Sequence, residues 1–148
     1  VQNYKQAVMV HGTKQREADE IEYQKFVDHQ DGYALTLVNA SELQYHHNQP
    51  LKFTLLKKNK QLKKGVLESY LGASGHIVMI AKETKDFLHV HSMGNKQYPI
   101  YAETYFPDSG WYKIWVQYKL DGKLRTSTFA VNVTKKGAAA DKVDHSAH

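Results

Sequence analysis

From Tyr33 onward the chain alternates. Tyr33, Leu35 and Leu37 are spaced by Ala34, Thr36 and Val38, and Leu51, Phe53 and Leu55 by Lys52 and Thr54. Side chains on a strand point to opposite faces with period two, so both runs predict half-buried strands. Residues 39–50 between them read as a polar loop, and residues 59–65 as a basic turn. Residues 76–81 and 86–91 form a further strand pair. Residues 98–106 form another strand, with Pro99 near its start, where the missing N–H is tolerated. The clearest element is the last hairpin. Asp121-Gly122 sits between two alternating runs, and Asp-Gly is a strong two-residue turn signal. That loop pairs Leu120 with Lys123, Ile114 with Phe129 and Tyr112 with Val131. Tyr112, Ile114, Val116, Phe129 and Val131 then share a core face. Trp111 and Trp115 fall on the other face, either as a partly exposed aromatic patch or packed under the N-terminal residues.

About seven short strands separated by turns predict an all-β, antiparallel β-sandwich. The expected domain covers residues 33–134. Residues 1–32 precede it as an extension: 7–10 fit a short strand, and 14–26 hold helix formers without a clean helical period. Residues 135–148 read as a flexible, histidine-containing tail. No internal repeat is visible.

Composition narrows the functional classes. The chain has 148 residues, 41% of them hydrophobic, which suits one domain with a packed core. No apolar run approaches the roughly 20 residues a membrane helix needs. There is no cysteine, so thiolate metal sites and cysteine nucleophiles are excluded. The chain begins at Val1, in keeping with a removed leader. The net charge is +5, with lysines grouped at 57, 58, 60, 63 and 64 and at 135 and 136. No recognition helix or RNA-binding signature accompanies them, so they read as a solvated surface rather than a nucleic-acid site.

Nine histidines are present, and their placement carries more than their number. His89 and His91 flank Val90 and therefore lie on one side of a strand, with Met93 at the same parity. If residues 82–85 form a four-residue loop, Ala81 pairs with Asp86. His76 then stands opposite His91, and Val78 opposite His89. In that register Ile77, Met79, Leu88 and Val90 share the core face, while three imidazoles share the other. Paired Cβ atoms are about 4.5–5.5 Å apart, close enough for the rings to close on one ion with bonds of about 2.0–2.1 Å. Imidazole suits zinc, copper, nickel and iron, and the Met93 thioether adds a preference for Cu(I). Glu68 or Tyr70 can approach from the preceding loop. His46-His47 and the terminal His145 and His148 are secondary candidates. His11 and His29 have no evident partner.

Two local patterns resemble known families. Asp108-Ser109-Gly110-Trp111-Tyr112-Lys113-Ile114 resembles the Asp-x-Gly-x-Tyr-x-Cys run of immunoglobulin domains. Tyr112 stands at the corner tyrosine and Ile114 where the disulfide cysteine would be. The stretch Tyr70-Leu71-Gly72-Ala73-Ser74-Gly75-His76, followed by His89-Val90-His91, resembles immunoglobulin-like domains of bacterial exported proteins that accompany copper and heavy-metal handling. Residues 107–118 are similar to a further block of that family. In that family a proline usually follows the second histidine of the pair, whereas Ser92 and Met93 follow here. The resemblance covers about residues 33–134. It implies an immunoglobulin-like fold, a periplasmic or extracellular location and a copper role.

The expectation is a non-enzymatic metal-binding module that uses His76, His89, His91 and Met93 to hold copper, or zinc, for buffering, transfer or resistance. The competing expectation is a structural or interaction module of the cell envelope, meeting another envelope protein through a sheet edge or the Trp111/Trp115 patch. Neither a nucleic-acid partner nor a membrane span is expected. Gly72 and Gly75 lack the rest of a phosphate-loop pattern. Enzymatic hydrolysis finds no HExxH motif or nucleophile–base pair. Asn39-Ala40-Ser41 and Asn132-Val133-Thr134 match the glycosylation pattern; in a bacterial protein, as the resemblance implies, these would be chance matches.

Overall fold

A computed structural model describes residues 23–62, 67–68 and 74–134. Ten strands are described: β1 Val27–Gln30, β2 Tyr33–Leu37, β3 Asn48–Lys57, β4 Lys60–Leu62, β5 His76–Ala81, β6 Phe87–Leu88, β7 Val90–Ser92, β8 Ile100–Tyr105, β9 Gly110–Leu120 and β10 Lys123–Val133. One turn of 3-10 helix, Ala40–Glu42, precedes β3. The strands form two antiparallel sheets. The first runs β10-β9-β5-β6 and the second β1-β2-β3-β8-β7, with β4 pairing to β3 beyond the end of β8. The order β2-β3-β8-β7 facing β5-β9-β10 follows the ABED and CFG sheets of an immunoglobulin-type sandwich.

The difference between seven expected strands and ten has three sources. β1 lies within residues read as an extension, β4 forms a hairpin where a turn was expected, and one expected strand divides into β6 and β7. Three two-residue turns, Asp31-Gly32, Lys58-Asn59 and Asp121-Gly122, have positive φ at both central positions. That is the requirement of the hairpin turn that matches strand twist. They set the pairs Gln30 with Tyr33, Lys57 with Lys60 and Leu120 with Lys123. The last hairpin has the register its sequence predicts, with Ile114 opposite Phe129 and Tyr112 opposite Val131.

The core lies between the sheets. Leu35, Leu37, Leu51, Phe53, Leu55, Ile100 and Ala102 meet Met79, Ile114, Val116, Tyr118, Phe129 and Val131, all buried. The Phe53 and Phe129 rings join the layers, with centroids 5.2 Å apart. A smaller cluster lies on the outer face of the first sheet, where Ile80, Trp115 and Ala130 are buried and Val78 and Trp111 partly so. Trp115 is 3% exposed, so this face does not present an open aromatic pair.

The corner tyrosine is present. The Tyr112 hydroxyl donates to the Asp108 carbonyl, and the Asp108 N–H donates back to that hydroxyl over 3.3 Å. Burial pushes the Tyr112 phenol up from its ordinary pKa. Its ring packs edge-on against Phe106 at 4.8 Å. Tyr112→Phe keeps that packing and removes both hydrogen bonds to Asp108. The expected cost is about 1–2 kcal/mol, read as a lower urea midpoint with an unchanged slope.

Each lateral edge is closed by chain that passes from one sheet to the other. At one edge Lys25 bridges Ala130 of the first sheet before Val27–Gln30 joins β2 of the second. Asp28 secures this crossing by accepting from Lys25, Gln30 and Ser127. Burial alone would raise its carboxyl pKa, but those hydrogen bonds and the Lys25 charge outweigh it and the pKa falls. A carboxylate depressed on folding stabilises above its unfolded pKa of about 3.9 and loses that contribution as pH falls through the lower folded value. Stability is therefore expected to hold from neutral pH to about 5 and to fall through 4 and below. Asp28→Asn should lower the melting temperature at pH 7 and flatten the acid limb, as followed by thermal melts across pH.

A candidate metal-binding edge

The opposite edge carries the histidines. The hairpin after β5 forms as its spacing predicts: the Ala81 N–H donates to the Asp86 carbonyl over 3.0 Å, and Met79 and Ile80 pair with Leu88 and Phe87. This register, carried on, would bring His91 opposite His76. The chain instead leaves the first sheet at His89. Val90, His91 and Ser92 pair with Thr104, Glu103 and Ala102 of β8 in the second sheet. The Thr104 hydroxyl donates to the His89 carbonyl over 2.9 Å and ties the crossover to β8. Leu88 before it and Val90 after it both pack on the core. His89 and His91 therefore take the outward positions of the same short run.

His76 follows a different course. Gly75 leads into β5 with its Cα against Ile100, where a Cβ would lie only 3.1 Å from the Ile100 side chain. His76 then pairs with Gln117 of the first sheet. Ile77 and Met79 enter the core, so His76 takes the outer face of the first sheet, whereas His91 takes the outer face of the second. The expected three-imidazole convergence is not formed. Among the described residues, no group of three or more His, Asp or Glu side chains converges as a metal site.

The other three expected ligands stay together in sequence and on one side of the edge. The rings of His89 and His91 are nearly parallel, with centroids 6.3 Å apart and 20° between planes. Both residues are exposed. Met93 continues the pairing with β8 through its N–H to the Tyr101 carbonyl, 3.0 Å, and is 37% exposed at the next outward position. The crossover adds a residue that spacing did not suggest: Glu103, exposed and directly opposite His91. His89, His91 and Glu103 border an open groove of about 420 Å³ that also takes in Asn48, Tyr105 and Pro107. No signal in the sequence points to Glu103, because its pairing exists only once the strand has changed sheets.

The secondary candidates have other tasks. Glu68 accepts from the Gly122 N–H over 2.7 Å and faces Lys119 at 3.9 Å, so it belongs to the β9–β10 turn. His46 has a positive φ of 67°, donates its backbone N–H to Phe106 over 2.7 Å and meets the Tyr45 ring edge-on at 4.9 Å. The His47 carbonyl accepts from Gln49 over 3.2 Å. Both residues thus help shape the loop before β3. His29 is exposed on β1. His11, Tyr70, Gly72, His145 and His148 lie outside the described residues, as do the expected strand at 7–10, most of the Tyr-Leu-Gly-Ala stretch and the tail after Thr134. No described helix is long and apolar enough to cross a membrane.

No curated protein and no solved structure matches the chain. A protein-family model does, over residues 27–135, and so begins at β1 and runs past the end of β10. The chain belongs to the family described as Domain of unknown function (DUF8832).

Proposed function

We propose that this domain is a non-enzymatic metal-binding module whose His89–His91 edge holds a transition-metal ion, copper first and zinc second, for buffering or transfer. The observation that carries the reading is the exposed, nearly parallel imidazole pair 6.3 Å apart on the rim of an open groove. Metal–nitrogen bonds of about 2.0–2.1 Å require the two ligating nitrogens to lie within roughly 4 Å of each other. Exposed side chains change rotamer on the picosecond-to-nanosecond scale, so rotation about their torsions can bring the rings together without moving the backbone. Met93 at the next outward position offers a soft thioether, the donor that favours Cu(I) among imidazole-binding metals. Glu103 across from His91 offers a hard oxygen and a negative charge. The proposed ligand set is therefore His89 and His91, with Met93 or Glu103 beside them, and His76 is no longer part of it. The exported setting implied by the family resemblance suits copper handling and is proposed with it.

Calorimetric titration with Cu(II), Cu(I) and Zn(II) tests this on the full chain carrying His145→Ala and His148→Ala, which removes the terminal histidines. Saturable uptake of at least one of these ions is expected. Absence of heat and of any thermal stabilisation with all three would contradict the reading and leave a structural module.

A further inference from the structure

Among the described residues this edge offers zinc two imidazoles, and their position suggests what supplies the rest. Two imidazoles are present and no third His, Asp or Glu converges on them among the described residues. His91 lies on β7 and His89 immediately precedes it; among the described strands β7 ends the second sheet and pairs with β8 alone. Zinc in closed protein sites is almost always four-coordinate and tetrahedral, so two imidazoles fill half of its shell. A strand of three residues that has just changed sheets offers little backbone for pairing with another chain. Each copy also carries a net charge of +5, which opposes self-association until a bridging ligand overcomes the repulsion.

We infer that a second copy of this chain completes the coordination, so that one zinc ion joins two molecules edge to edge through His89 and His91 of each. This rests on the metal-binding reading above and adds the partner to it. A two-fold axis through the ion makes the contact self-complementary and closed, as a symmetric dimer requires. The open groove beside the rings leaves room for the second pair to approach. Glu103 on β8, paired with His91, adds a negative charge to this edge of each copy.

Sedimentation velocity on the full chain with His145→Ala and His148→Ala tests the inference. In EDTA the mass should be that of one chain, 17.0 kDa. With Zn(II) it should double, saturating at half an ion per chain. Adding His89→Ala and His91→Ala should hold the mass at one chain at every zinc concentration. If that variant fails to fold by circular dichroism, His89→Gln with His91→Gln replaces it with the same expectation. One zinc bound per chain with no change in mass would overturn the pairing and leave the binding reading intact. A dimer already present in EDTA, or doubling retained in the histidine variant, would also overturn the pairing. No zinc uptake at all would overturn the pairing, and the metal-binding reading as well if copper fails too.

Discussion

Phe129→Ala is expected to remove about 3–5 kcal/mol of stability. Phe129 is 0% exposed, sits on β10 opposite Ile114 and packs at a tilt on Phe53 of the other sheet. Truncation leaves a cavity between two sheets, each fixed by its own hydrogen bonds, so the space cannot collapse readily. The lost ring–ring contact accounts for about 0.5–1.5 kcal/mol beyond simple burial. A domain of this size has only about 5–15 kcal/mol in total, so Phe129→Ala should unfold tens of degrees below the parent chain. Phe87→Ala makes the same chemical change on β6, where the ring is 40% exposed. It should cost only about 1 kcal/mol, because much of the ring is already in water and no core cavity is opened. Thermal and urea melts of the two variants check this, and equal losses would place the core elsewhere.

His89→Ala with His91→Ala is expected to abolish metal uptake in the chain lacking the terminal histidines, while His76→Ala leaves it unchanged. The contrast follows from the crossover. His89 and His91 occupy consecutive outward positions where the chain joins the second sheet, and His76 lies on the outer face of the first. Loss of both imidazoles removes every nitrogen ligand at the edge and leaves Met93 and Glu103, which cannot hold an ion at comparable strength. Calorimetry with copper and zinc reads the difference. The exposed position of both rings means that the double variant should keep the parent's melting temperature in EDTA. Loss of binding with unchanged stability therefore separates a ligand role from a structural one.

The sequence made the inner half of this fold legible and left its edges obscure. Alternation located the strands that bury one face, such as Tyr33–Leu37 and Gly110–Leu120, because a core imposes period two on whatever covers it. Asp121-Gly122 then set a register that holds along all of β10. The same dipeptide at Asp31-Gly32 marks the turn before β2, and it was the available signal for β1. What hid that strand was its composition: Val27, Asp28, His29 and Gln30 fill an edge where Asp28 points inward to a hydrogen-bonded polar cluster rather than to apolar side chains.

The histidine edge divides in the same way. Parity placed His89, His91 and Met93 on one side of a strand, and the hairpin register from Ala81 to Asp86 was correct. Periodicity could not reveal that the strand changes sheets. Leu88 and Val90 face the core whether the chain continues in the first sheet or crosses to the second, so the hydrophobic pattern is the same in both cases. Only the pairing of His91 with Glu103 distinguishes them, and that is a long-range contact with no local signature. The consequence is chemical: a three-imidazole site becomes a two-imidazole edge with a carboxylate opposite.

The most direct test of the His89–His91 edge is the NMR spectrum of the chain with Cu(II) added at well under one equivalent, with His145→Ala and His148→Ala in place. Paramagnetic broadening should centre on the imidazoles of His89 and His91, extend to Glu103 and Met93, and leave the His76 ring sharp. Broadening centred on His76, or spread evenly over the exposed histidines, would contradict the account.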